Sequence, residues 1–441
     1  MLFIMNNNWF QISIVIFVSA VLITTVLTVL NNQDLPLVKN FNNSHQQEEV
    51  VEGMLVVKEL TKESIRKKIE LGKEFLFQME DKELKGFHKR YYPLTDYFEN
   101  RLHTVYSASI IYTLLYVNDL EEDERILNNL PAWGDFLLSM QNENGGFHYS
   151  LYLPPLPQEE ELDEKGREKK FVVGTASLTI FTLLRIFDIL KEPKYLKSAE
   201  LAGDWLTGMQ KEDGSMKPYI RYNGEKWVGG KKESLLYNGQ VLSALSKLYA
   251  ISPREKYLET ARKIADRFLS KYQGGYIKGD YREKNPISNS WVVMSLMDFY
   301  KINPEEKYRK VIFELSREII SHQKSDPSNL LSYGQFKGAY SSSGNGWIVE
   351  VMSEIYRFCL QEEEDFCDLY KEAVIKGIRW VMQHTYTKAN MDDVKNPSRS
   401  EGGVFWKKTD RNIRTDCTCH ALNGYIRIFP FLEDNLLLKL N

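Results

Sequence analysis

Gln141-Asn142-Glu143-Asn144-Gly145-Gly146-Phe147-His148-Tyr149 is the stretch on which the reading of this chain turns. An apolar run, Trp133 to Met140, precedes it and has the spacing of a helix. Gly145 and Gly146 suit a backbone that turns through positive φ, and Phe147 is the first residue able to re-enter a core. The signature recurs. Gly86-Phe87-His88 comes earlier, and Asp213-Gly214-Ser215-Met216, Gly274-Gly275-Tyr276 and Gly402-Gly403-Val404-Phe405 come later. Spacings of roughly 60 to 70 residues mark a repeat protein with a long unit.

Outward from that turn, each unit reads as an outer helix, a Gly-aromatic turn, a polar and aromatic excursion, and a more apolar inner helix. The inner helices are expected at Thr104–Val117, Thr175–Leu190, Ser234–Ala250, Ser290–Tyr300, Trp347–Leu360 and Cys419–Phe429. The outer ones are expected at Lys58–Met79, Ala132–Met140, Glu200–Met209, Thr260–Tyr272, Tyr308–His322 and Tyr370–His384. Short Pro-containing links such as Lys191-Glu192-Pro193-Lys194 join inner to outer. Six such hairpins close into an all-α (α/α)6 toroid, with an open solenoid as the alternative. The long excursions then gather at the end where the inner helices present their N-termini.

The chain has 441 residues, enough for one large toroid and an anchor. Phe10 to Leu30 is an uncharged apolar run, long enough to cross a bilayer of about 30 Å as a helix. No Lys or Arg precedes it, so an uncleaved anchor is expected over a cleaved signal peptide. The expected organisation is a tail at 1–9, a transmembrane anchor at 10–30, a linker at 31–49 and the toroid at 50–441. The toroid is expected outside the cytoplasm on a single-pass membrane protein. A net charge of −3 with dispersed basic residues points to no nucleic-acid partner. Four Cys do not make a disulfide scaffold. Cys417-Thr418-Cys419-His420 looks like half a zinc site, but a site needs three or four ligands, so no metal and no cofactor are assigned.

The excursions carry the candidate chemistry. Unit one brings His88, Arg90 and Tyr97; unit two brings His148 and Tyr149 before an acidic flap at Glu159–Glu168. Unit three brings Arg221, Tyr222, Trp227 and Glu233, then Asn238. Unit four brings Tyr276, Asp280, Tyr281, Arg282 and Trp291. Unit five brings Tyr340 and Trp347, with Glu350 one turn into its helix; unit six brings Trp406, Arg411, Arg414, Asp416 and His420. Aromatic residues make up 12% of the chain and many fall in these loops, where rings can stack on sugars. Arg, Tyr, His and carboxylates converging on one mouth suit a polar, anionic, ring-shaped ligand.

These turns and apolar helices resemble the α/α-toroid proteins. That group holds terpene cyclases, prenyltransferase β-subunits, lanthionine synthetase-like proteins, and sugar epimerases, hydrolases and lyases. Glu233-Ser234-Leu235-Leu236-Tyr237-Asn238-Gly239, with Ala244-Leu245 and Leu248-Tyr249, is similar to the helical C-terminal domain of D-glucuronyl C5-epimerases. Gly274-Gly275-Tyr276 with Asp280-Tyr281-Arg282 resembles that family's Gly…Tyr-Asp-x-Arg turn in another order. The family's His-rich segment is replaced by Asn285-Pro286-Ile287-Ser288-Asn289-Ser290. The resemblance implies proton exchange by Glu233 and by Tyr276 or Tyr281, with Arg282 holding a substrate carboxylate. Cys419-His420 resembles the pair of lanthionine synthetase-like proteins, whose other zinc Cys is replaced here by Gly344-Asn345-Gly346-Trp347. The expectation is a carbohydrate-active protein acting on a uronic-acid-containing glycan by epimerase, hydrolase or lyase chemistry. The alternative is a toroid that binds glycan or protein partners without catalysis.

Overall fold

The computed structural model describes residues 48–279 and 284–440. The expected anchor, and Asp280, Tyr281 and Arg282, lie outside them. The compact unit begins at Glu48, two residues before the expected boundary. Its carboxylate already receives Thr387 Oγ1 at 2.6 Å and Lys68 Nζ at 3.4 Å.

Twelve long helices alternate along the described chain. They are α1 (Lys62–Gln78), α2 (Thr104–Leu120), α3 (Glu124–Ser139), α4 (Val173–Leu190), α5 (Pro193–Gly208), α6 (Leu235–Ile251), α7 (Glu255–Ser270), α8 (Pro286–Tyr300), α9 (Glu306–Ser321), α10 (Ser342–Gln361), α11 (Asp368–Met382) and α12 (Thr415–Ile428). The even-numbered helices each pack on the next, and α12 packs back on α2. The ring is closed. The odd-numbered helices form the outer layer, so the fold is the expected (α/α)6 toroid and not an open solenoid. At the seam, strand Leu436–Lys439 pairs with Glu59–Thr61, joining the end of the unit to its start.

The outer helices are amphipathic. In α7, Tyr257, Thr260, Ala261, Ile264, Ala265 and Phe268 form the buried stripe, at spacings of three and four. Inner helices are buried on nearly every side, which is why they read as apolar throughout. Helix α4 has the length and apolarity of a membrane span, yet 61% of that window is buried and it serves as part of the inner ring. Helix α3 starts eight residues before the expected Ala132 because Pro131 lies within it; the chain runs helically from the Asp123 cap. A proline inside a helix costs a backbone hydrogen bond and reads as a boundary.

The Gly-aromatic turn recurs six times, each closed by one bridge: Glu80 to Phe87, Gln141 to Phe147, Gln210 to Met216, Tyr272 to Ile277, Gln323 to Phe336, and Thr385 to Val404. The fifth copy, Gly334-Gln335-Phe336, completes the series. Its inward residue is Phe336, as in the fourth copy it is Ile277 and not Tyr276. The turn sits on the next outer helix so closely that a side chain cannot fit. A Cβ on Gly145 (φ +94) would lie 2.2 Å from Leu201 O in α5, and one on Gly402 (φ +84) 2.0 Å from Leu71 O in α1. A polar side chain early in the following inner helix accepts the inward residue's N–H. Ser107 takes Phe87 at 2.9 Å, Asn238 takes Met216 at 3.2 Å, Asn345 takes Phe336 at 2.8 Å and Thr418 takes Val404 at 3.0 Å.

Candidate active site

All six outer-to-inner excursions lie at the N-terminal ends of the inner helices. Short strands knit them together: Arg101–His103 with Ser150–Tyr152, Lys170–Val172 with Tyr219–Tyr222, and Asp410–Arg414 with Arg90–Tyr92. Below them a cavity of about 520 Å³ occupies the centre of the ring.

Its wall is layered. Ser109, Thr175, Gln240, Trp291, Trp347 and His420 line it, one from each inner helix. Seven residues further along the same helices, Tyr116, Thr182, Lys247, Asp298, Glu354 and Arg427 line it again. Seven residues are close to two turns, so each pair shares an azimuth about 10 Å apart along the axis.

In the upper layer the rings of Trp291 and Trp347 stack with centroids 3.7 Å apart, 18° from parallel. Trp347 meets His420 edge-on at 5.3 Å, and its buried Nε1 has no protein partner. His420 Nδ1 lies 2.9 Å from Glu350 Oε2. A carboxylate accepts, so Nδ1 carries a proton and donates it to Glu350, while the imidazole lines the cavity. Glu350 is only 4% exposed. Its other oxygen receives Asn423 Nδ2 at 3.2 Å and Arg427 Nη2 at 3.4 Å. Nearer the mouth, Arg414 Nη2 binds Asp416 Oδ2 at 2.6 Å and Tyr106 OH at 3.2 Å, and stands over the Trp406 ring at 5.3 Å. Ser343 Oγ also donates to Asp416, at 2.8 Å. Burial pushes the Cys417 thiol up to about 12 and raises Cys419 as well, so both stay protonated. Among the described residues no three His, Cys, Asp or Glu side chains gather as a metal site.

Tyr149, Trp291, Trp347 and Trp406 line this cavity with Glu350, Arg414, Asp416 and His420; the other expected site residues on the described chain do not. Glu233 faces outward instead. Its carboxylate receives Arg267 Nε and Nη2 and Lys271 Nζ, each at 2.8 Å, and Asn238 Nδ2 at 3.0 Å. Burial opposes its charge, but these hydrogen bonds outweigh it and hold its pKa below the ordinary carboxylate value. Asn238 is fully buried between Glu233 and the turn. Tyr276 is half-buried, with Lys284 Nζ 5.1 Å from its ring centre.

His88 stacks on Phe98 at 4.7 Å with Nδ1 3.1 Å from Glu99 O, and His148 Nδ1 lies 2.9 Å from Glu168 O. Arg90 donates to Tyr92 OH at 3.4 Å, and Arg411 to Asp393 at 2.8 Å and Asn390 O at 2.6 Å. Arg221 is exposed on its strand, Tyr222 packs edge-on to Trp227, and Trp227 covers Phe171 at 4.9 Å. Tyr97 and Tyr340 are exposed, Tyr340 by 81%. Glu350, Arg414, Asp416 and His420, carried by the excursions of units five and six, were given no individual role by the sequence, yet they form the centre of this wall. The available signal was their common position within one turn or two of an inner-helix start.

By sequence, no protein-family model and no curated protein matches the chain. By structure, it is similar to a cellobiose 2-epimerase from Bacillus thermoamylovorans, with a TM-score of 0.65 at 13% identity over 84% of this chain and 99% of that one. An unsaturated glucuronyl hydrolase specific for heparin aligns with a TM-score of 0.60 at 9% identity, over 84% of this chain and 98% of that one. The α-1,6-mannanase of Salegentibacter, in complex with α-1,6-mannotriose, aligns at 0.59 and 11% identity, over 83% and 99%. The chain shares their fold.

Proposed function

We propose that the chain is a carbohydrate-active enzyme in which His420 transfers a proton to and from a sugar carbon. The carrying observation is the Glu350–His420 pair beside the stacked tryptophans on a cavity wall. Glu350 fixes the tautomer and stabilises the imidazolium formed when Nε2 takes a proton; Asn423 and Arg427 hold Glu350 in place. The Trp291–Trp347 pair stacks on the C–H face of a sugar ring. Tyr149 and Trp406 close the mouth over it. The enzymes whose fold it shares include a sugar epimerase and two glycan hydrolases.

Among these chemistries the site favours epimerisation or isomerisation. Hydrolysis needs a carboxylic acid kept protonated. Here burial works against the charge of Glu354, yet its arginines hold it down to about 2, and Lys247 holds Asp298 low in the same way. Glu350 and Asp416 are committed to hydrogen-bonding partners. A uronic-acid-containing glycan remains our reading of the substrate, because a carboxylate next to a carbon acidifies its proton.

The Phe10–Leu30 run would hold the toroid on a membrane, on the non-cytoplasmic side. The Cys359–Cys367 disulfide at the far end of α10 suits an oxidising compartment. Incubating the full-length protein with uronic-acid glycans in D2O tests the reaction. Deuterium should enter one sugar carbon with the native chain and not with His420→Asn. Absence of exchange with every glycan, or exchange that survives the substitution, would refute the assignment.

A further inference from the structure

Apart from the contact of Arg427 with Glu350, the lower layer of the cavity wall is charged in a way the proton transfer does not use. Lys247 Nζ binds Asp298 Oδ1 at 2.8 Å, and Lys301 Nζ reaches the same oxygen at 3.5 Å. Arg427 Nη1 and Arg357 Nη1 both bind Glu354 Oε1, the latter at 2.9 Å. Four cations therefore surround two carboxylates, and both carboxylates are ionised. Even with Glu350, which also receives Arg427, positive charge is in excess. Lys247 and Arg427 are held within this layer, by Asp298 and by Glu354 with Glu350. Arg427 Nε is buried without a partner. Lys301 and Arg357 are the open members, their side chains 57% and 43% exposed. Arg357 spends one nitrogen on Glu354, and the rest of its planar fork is uncommitted among the described residues.

We propose that this lower end of the cavity is an anion subsite, with Lys301 and Arg357 receiving a carboxylate or a phosphate ester carried by the ligand about three helical turns below the level of His420. Lys247 and Arg427 complete the positive field, and Asp298 and Glu354 keep the four cations from repelling one another. The subsite makes the cavity read both ends of its ligand: a ring against the tryptophans, an anion below. It rests on the cavity being the substrate site, but its test does not depend on turnover.

Calorimetric titration of the detergent-solubilised full chain with D-glucuronate, glucose 6-phosphate, inorganic phosphate and glucose tests it. At least one anionic sugar should bind about tenfold or more tighter than glucose at low salt, and the advantage should shrink as salt rises. Lys301→Gln and Arg357→Gln should each remove most of that advantage and leave glucose affinity unchanged, while Trp347→Ala weakens every sugar. Preference for glucuronate assigns a carboxylate. Preference for glucose 6-phosphate, with inorganic phosphate binding alone, assigns a phosphate ester. Equal binding of glucose and both anionic sugars by the native chain overturns the subsite, as does full anion preference in both folded variants. Absence of the preference in the native chain, with deuterium exchange intact, sinks only the subsite. Anion binding without exchange sinks only the proton-transfer reading.

Discussion

Two glutamates near inner-helix starts make an instructive pair. Glu233 just precedes α6 and Glu350 lies in α10; each is enclosed by nitrogen donors. Around Glu233 the cations Arg267 and Lys271 come from the outer helix α7 and the residue that caps it. Three of its four hydrogen bonds come from that outer layer and the fourth from Asn238 of α6, so the carboxylate staples an excursion to the outer layer. Around Glu350 the partners come from α12, the next inner helix, and one of them is an imidazole lining the cavity. Residue type and enclosure by nitrogen donors are alike. The side of the inner ring that each faces decides which one can meet a ligand.

The largest effect is expected at His420. His420→Asn should lower turnover about a thousandfold, the size of a lost general base, with the melting temperature nearly unchanged. Steady-state kinetics and a thermal melt on one preparation check this. If activity survives there and falls at Glu233, the two carboxylates have been assigned the wrong way round.

Glu233→Gln should instead act on stability. It leaves Arg267 and Lys271 without their buried counter-charge, a loss of about 3 kcal/mol. Denaturant unfolding should show that loss, while turnover per folded molecule stays at the native level.

Acid should separate the two regions further. Burial lowers the pKa of His103 and of His384 to about 4 in the fold. An unfolded histidine takes its proton near 6.5, so the unfolded state binds more protons between those values. The stability these two contribute is present above about pH 6.5 and is lost as pH falls towards 4. The melting temperature should drop over that window in the native chain, and His384→Asn should flatten the drop without changing turnover at neutral pH.

The smallest effect is expected at the stacked rings. Trp347→Ala should raise KM or Kd for sugars about tenfold, with a weaker change in kcat. Trp227→Ala, on the exposed excursion of unit three, should change neither.

Much of the architecture was legible along the chain. Gly145-Gly146-Phe147 and its copies fixed the unit, because a positive-φ glycine followed by a buried side chain is a local requirement of one turn. Outer helices such as α7 announced their buried faces through spacing, since one side meets water and the other does not. Tyr149, Trp291, Trp347 and Trp406 could be named from their places in the excursions. Asn238 misled because a polar side chain early in an inner helix serves the turn above it as readily as a ligand.

What the sequence alone determined is therefore the count of hairpins, the end at which their loops gather, and four of the rings in the cavity. Only the tertiary structure decided that His420 meets Glu350, 70 residues earlier in the chain, and that the cavity wall repeats every seven residues down to a charged layer. The reason is physical. An inner helix is enclosed by protein on nearly all sides, so its sequence lacks the one-sided apolar stripe that would orient it. Its rotation about its own axis is fixed by packing against two inner neighbours and an outer layer, and that rotation chooses which side chains face the axis.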